Sequence, residues 1–418
     1  MSSAMASRAW HEASAFPATP VPPAAPKTRL AWPDVAKGIS ILGVVALHIC
    51  LEVPHGMETF IAGVNHILDP LRLCLFFLVS GLFSRKVLHL TFGQLWCRRL
   101  WFFAVPYVIF TPIEVAIKRH QWLLLGDTDL PGWRYYLYTV LSSENMYWFL
   151  WALIAFNIFL WVTRKLPRWL ALALTFFPVL ILPLAQDYPA VSQALMFLPV
   201  FMAGVHFSTA IKDFAAGANP ARIVASVAFY VSGFAVYAMW RVVAEVGLEP
   251  VAWPLCPVPA QITPDEMWLV VRAFGQALML PAAVLGAVGI AKIPVLSTGL
   301  QFLGRHTLPI YLGHPIALTL VYTPLFMAAE GMEVNGQSSD PLTRTGVWMA
   351  LGAVASLLGS FAFWLLAQIP VLGWAVKPPR LEPLLARVLG TQLSDNGAGR
   401  RAEATQPASS GVGSEKIR

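Results

Sequence analysis

Residues 34–53 read DVAKGISILGVVALHICLEV, an apolar run with an acid and a base at its start and an imidazole near its end. As a helix over 36–53 it nearly matches the ~30 Å hydrocarbon core of a bilayer, at about 1.5 Å per residue. At about 100° per residue, Lys37 and His48 are only about 20° apart around the axis, and Asp34 lies within about 60° of both. The three share one face. An Asp or Lys at the bilayer centre costs at least roughly 2.5–3.5 kcal/mol, so that face is expected to look into a helix bundle rather than at lipid. His48 lies about 16 Å beyond Lys37 along the axis. Lys37 is therefore expected near one membrane surface and His48 past the midplane.

The rest of the chain repeats this apolar character. Hydrophobic residues make up 57% of the 418 and charged residues 12%, about half the usual charged share of a soluble domain. A soluble fold could not bury so much apolar surface. The sixteen Trp fit a membrane protein, since such rings gather at the interfaces. Cys50, Cys74, Cys97 and Cys256 form no CxxC pair, which argues against a zinc site or a disulfide framework. The first 33 residues contain no apolar core of a signal peptide.

The expected fold is an all-α integral membrane protein, a bundle of about ten transmembrane helices with both termini cytoplasmic. The spans fall at 36–53, 64–83, 99–118, 147–163, 168–185, 190–210, 222–244, 267–290, 306–327 and 346–369. Residues 1–33 form a disordered tail, 34–375 the membrane domain, and 376–418 a second, mostly disordered tail, with a short interfacial helix at 381–390. Basic residues test the orientation. With span-end residues assigned to the side they flank, 22 of the 29 Lys and Arg fall inside, the bias that fixes topology. The net charge of +7 is thereby explained without a nucleic acid partner.

Further ionisable groups sit in the outer halves of other spans: Arg72, Glu114, Arg241 and Arg272. One reading places Arg72, Glu114 and Arg272 in a water-filled cavity shared with His48; the other makes them snorkelling side chains or structural ion pairs. On the inside, Arg85, Lys86, Arg98, Arg99 and Arg305 mark helix ends. They fit topology alone, and equally a phosphate site, since guanidinium forks pair with phosphate oxygens. Tyr147, Trp148 and Trp151 offer either sugar-stacking surfaces or an interfacial belt. Tyr311 and His314, three apart, either orient a substrate or satisfy each other. Ser80 beside Gly81 reads as a packing residue.

Five segments in order resemble the membrane-bound acyltransferase-3 family, nearer its fucose-O-acetylase-like branch. They are RLAWPDVAKGISILGVVALH at 29–48, FFLVSGLF at 76–83, RRLWFFAVPY at 98–107, WFL at 148–150 and LGRHTLPIYLGHP at 303–315. The chain departs from the commoner family pattern at Lys37, where many members carry Arg. The resemblance implies a multi-pass protein of the inner or plasma membrane that transfers an acyl group, usually acetyl. Acetyl-CoA is the donor substrate, with no tightly bound cofactor and no metal. The acceptor is a hydroxyl of an envelope polysaccharide or glycolipid, a trehalose-mycolate type glycolipid among the candidates. It implies that His48 is the catalytic residue, either a general base or a transient acyl carrier, its ordinary pKa near 6.5 suiting it to the first role. It also implies that Lys37, Arg98 and Arg99 hold the donor's phosphates. Asp34 and Arg305 are expected beside them at the donor, and Arg72, Glu114, Arg272, Trp148, Tyr311 and His314 at the acceptor or in the cavity. The competing reading is a glycolipid or polyol transporter, a flippase that moves its substrate without altering it.

Overall fold

The computed structural model describes residues 29–124, 126–127, 130–255, 260–328 and 341–381. Cys256, the interfacial helix expected at 381–390 (apart from Leu381) and most of both tails lie outside the described residues. The compact unit begins at Ala31. It is built almost wholly of helices. The one strand pairing among the described residues joins Val251–Ala252 to Gln261–Ile262.

Among the described residues, seven helical segments are long and apolar enough to cross a membrane: Trp32–Glu52, Phe92–Leu124, Pro189–His206, Pro220–Glu245, Pro264–Ala291, Thr307–Leu325 and Thr345–Leu366. The pair Phe60–Ile67 and Arg72–His89, bent by 49°, makes an eighth if counted as one span. The expected count of ten also takes in Trp148–Thr163 and Arg168–Leu180, apolar helices below that length. The expected span at 168–185 is broken. It is a chain of short helical pieces, because Pro178 and Pro183 each remove a backbone donor from the ladder.

Eleven helices position the site. Helix α1 is Trp32–Glu52, opened by Pro33 in its first turn, where a missing N–H costs nothing. Helices α2 (Phe60–Ile67) and α3 (Leu75–Leu82) are separated by a wide, π-type turn at Pro70–Cys74. Pro70 cannot donate to the preceding turn, so the helix yields there. Then come α4 (Trp101–Leu124), α5 (Trp148–Thr163), α6 (Leu198–His206), α7 (Pro220–Glu245) and α8 (Pro264–Ala291). Helices α9 (Pro294–Arg305), α10 (Thr307–Ala317) and α11 (Thr345–Leu366) complete the set. Two further features depart from expectation. A helix at Trp133–Ser142 sits within the expected 119–146 loop, and α9 occupies 294–305 of the stretch 291–305, where only an inside loop was expected.

Close backbone contact holds α9 to α1. A Cβ at Gly38 would strike the Leu300 carbonyl, and one at Gly304 would strike that of Asp34. Gly81 of α3 and Gly204 of α6 meet in the same way, each against the other's backbone. Small residues at such crossings let dispersion contacts bind helices where lipid offers no hydrophobic drive. Gly81 is thus a packing residue, whereas Ser80 beside it lines the chamber described below. The core centres on Phe77, whose ring lies 4.7 Å from Phe149, 5.1 Å from Phe197 and 5.2 Å from Phe156. Outward faces are apolar too: Val224, Val227 and Val231 on α7, and Leu357, Leu358 and Phe361 on α11, are exposed. An apolar exterior on this scale belongs against hydrocarbon.

Candidate active site

His48 faces another imidazole. Its Nδ1 lies 2.8 Å from Nε2 of His314, with the two rings within 13° of parallel. His314 is fully buried, and its own Nδ1 lies 2.8 Å from the carbonyl oxygen of Ile310, one turn earlier on α10. A carbonyl only accepts, so His314 Nδ1 carries the proton and donates it there. In the neutral ring Nε2 is then bare, and it accepts from the N–H at His48 Nδ1. The chain of partners leaves His48 Nε2 with its lone pair. That atom can take a proton or attack a carbonyl. The logic is that of a carboxylate behind a catalytic imidazole, with a histidine and a backbone carbonyl in the carboxylate's place.

A cavity of about 180 Å³ lies below the pair. Lys37, Ser40 and Val44 of α1 form one wall, and Phe76, Arg99 and Tyr311 lie among the others. It is an apolar chamber with two cations. His48 itself does not line it; Val44, one turn before His48, is the nearest lining residue on α1. Lys37 sits 5.2 Å from the centre of the Phe83 ring and 6.0 Å from that of Phe76. Arg99 donates from Nε to Asn157 Oδ1 at 3.0 Å, from Nη1 to the Phe83 carbonyl at 3.2 Å, and from Nη2 to Ser84 Oγ at 2.6 Å. All are neutral acceptors. No carboxylate pairs with Arg99 among the described residues, so its charge is fixed in place yet uncompensated. Arg305 instead pairs with buried Asp34, Nε to Oδ2 at 3.4 Å, and ties the end of α9 to the start of α1. Arg98 is exposed.

Among the described residues, none of the remaining charged side chains bonds or pairs with His48. Arg72 and Arg272 meet at Asp69, a buried acid that the sequence reading did not single out. Asp69 Oδ1 accepts from Arg72 and, at 2.9 Å, from Arg272 Nη2, while Oδ2 accepts from Gln276 Nε2 at 2.7 Å. This cluster pins the broken α2–α3 turn to α8. Glu114 is elsewhere, buried and paired with Lys118 at 2.9 Å one turn along α4. The structure thus favours the ion-pair reading for these three over a cavity shared with His48.

The aromatic side chains are structural as well. Tyr147 is completely buried and donates to the Leu312 carbonyl at 2.8 Å, while Tyr311 donates to the Met146 carbonyl at 2.7 Å. The two phenols form a reciprocal clasp between the start of α5 and α10. This clasp, and no Tyr311–His314 bond, fixes the register of the segment that carries His314; those two rings stand 6.2 Å apart. Trp148 packs on Phe197 with ring centres 6.3 Å apart, within the core rather than as an interfacial belt. Asn157, like Asp69, escaped notice in the sequence, because a lone polar residue in an apolar run gives no sign of its partner.

No curated protein and no solved structure matches this chain. The model of the acyltransferase-3 domain family matches residues 30–365, which takes in α1 through nearly all of α11 and both histidines. With the apolar exterior, the paired imidazoles and the cationic chamber beside them, that match identifies the chain as a multi-pass membrane acyltransferase of the acyltransferase-3 family.

Proposed function

We propose that this acyltransferase moves an acetyl group from cytoplasmic acetyl-CoA to a hydroxyl of an envelope polysaccharide or glycolipid, in the inner or plasma membrane, through ten crossings with both termini inside. The observation that carries the reading is the relay from Ile310 through His314 to His48, which leaves a basic nitrogen one turn above a chamber holding Lys37 and Arg99. The sidedness rests on the inside bias of Lys and Arg.

In the proposed reaction the donor's phosphates stay near the inner mouth, held by Lys37 and Arg99, while its thioester arm runs up the apolar chamber. His48 Nε2 takes the proton from the acceptor hydroxyl as the oxygen attacks the thioester carbonyl. The carbon–sulfur bond then breaks, the ester forms, and the thiolate recovers the proton from the imidazolium. Atoms and charge balance without a metal. An apolar chamber suits this step, since water competing for the thioester is kept out.

The test is acetyl transfer by purified protein in nanodiscs, with labelled acetyl-CoA and extracted envelope glycolipids as acceptors, beside mass spectrometry of glycans from wild-type and deletion strains. His48→Ala is expected to fold and to lose transfer. Unchanged acetylation in the deletion strain would refute the reading. Substrate movement across the membrane that survives His48→Ala would favour the transporter instead.

A further inference from the structure

We infer that a groove between α1 and α2, centred on Asn65, binds a lipid chain carrying a hydroxyl group. Asn65 is 4% exposed, and neither its Nδ2 nor its Oδ1 has a partner among the described residues. Leaving such a group buried and unmet costs about 1–3 kcal/mol, so each case in a native fold calls for a reason. Here the side chain lines a groove of about 330 Å³ whose other walls, Arg72 apart, are apolar, among them Leu42, Phe60, Ile61 and Leu300. Gly43 makes the space: a Cβ there would crowd the Arg72 stem and touch Asn65 Oδ1.

The groove's chemistry selects the occupant. Arg72 directs its guanidinium to Asp69, so the groove presents no unspent charge for a phosphate or carboxylate. Leu42, Phe60 and Ile61 are 46%, 85% and 50% exposed, so in a bilayer the mouth opens sideways onto hydrocarbon. What enters from that side is an acyl chain. The carboxamide offers both a donor and an acceptor, and a hydroxyl supplies both complements, whereas an ester supplies only an acceptor. A plain chain would leave Asn65 as it stands. Gly43 and His48 are about 140° apart around α1, so the groove opens on a different face from the imidazole pair. The site therefore stands independently of the acetyl-transfer reading.

The experiment uses purified protein in nanodiscs and a photoreactive stearate, with stearate and hydroxystearate as competitors. Labelling is expected within residues 60–72, and hydroxystearate should compete about tenfold better than stearate. Asn65→Leu replaces the carboxamide by an apolar group of similar size; it should keep the labelling and abolish the preference. Leu42→Trp at the mouth should abolish the labelling, and serves if Asn65→Leu does not fold. Equal competition in the wild type, or a preference that survives Asn65→Leu, overturns the inference. So does labelling undiminished by Leu42→Trp.

Discussion

His314 shows what one residue adds to another across 266 positions of sequence. Its side chain touches His48 alone among the proposed catalytic groups, so it acts as a positioning residue. Loss of its Nε2 frees the His48 ring to rotate and to place its proton on either nitrogen. His314→Ala is therefore expected to lower kcat by roughly 10²-fold while leaving the KM for acetyl-CoA unchanged. His314→Gln should recover part of that loss, because a carboxamide oxygen can still accept from His48 Nδ1. A purely structural role would show no such rescue, and equal activity for both variants would sink the relay. The sequence made His48 legible through its depth on α1 and the charged face it shares. It made His314 visible only as a residue in a motif. The pairing was hidden because periodicity describes neighbours on one helix and says nothing about which helix comes opposite. The same blindness applied to Tyr311, whose partner is a backbone carbonyl, a group that no side-chain pattern reports.

At the scale of elements, the break between α2 and α3 is held by charge. Arg72 and Arg272 could be read as costly groups needing a reason, but Asp69 stands beside the proline that breaks the helix. A reading that assumes one unbroken span cannot place it. Removing that acid strands the buried guanidinium of Arg72 and the half-buried one of Arg272. Asp69→Ala is expected to destabilise the protein by about 3–5 kcal/mol, measured by unfolding in mild detergent. The triple replacement Asp69→Leu, Arg72→Met, Arg272→Met should be far milder, since it removes all three charges together. A milder effect for Asp69→Ala than for the triple would show that the cluster does not clamp the turn. Arg99 makes a second link, between the end of α3 and Asn157 on α5. Arg99→Lys keeps the charge but lacks the planar fork that reaches Asn157, Phe83 and Ser84 together. It should raise the KM for acetyl-CoA several-fold with a modest loss of stability, whereas Asn157→Ala should affect stability alone. Equal kinetic effects in the two variants would place Arg99 among the purely structural residues.

For the whole molecule, the apolar runs made the helical membrane architecture legible, because the bilayer demands long stretches whose backbone groups are paired internally. Two kinds of element escaped. Short helical pieces such as those over 168–185 take their shape from prolines inside an otherwise continuous apolar run. Helix α9 is amphipathic and short, and it forms by lying along α1 through Gly38 and Gly304. Its docking matters for topology, since α9 lies between α8 and α10, the eighth and ninth proposed crossings. If it is an inside hairpin arm, as the charge bias requires, residues before and after it lie on the same side. Thiol labelling decides this. Starting from a variant with all four Cys replaced by Ser, Arg85→Cys, Lys165→Cys and Lys292→Cys should react with an impermeant maleimide only after cells are opened. Arg134→Cys, in the helix Trp133–Ser142, should react in intact cells. With the middle crossings odd in number, Lys165 and Arg134 must fall on opposite sides although α5 is only 16 residues long. Labelling of both from outside would mean that α5 dips into the membrane and returns, and with it the ten-crossing arrangement would fall.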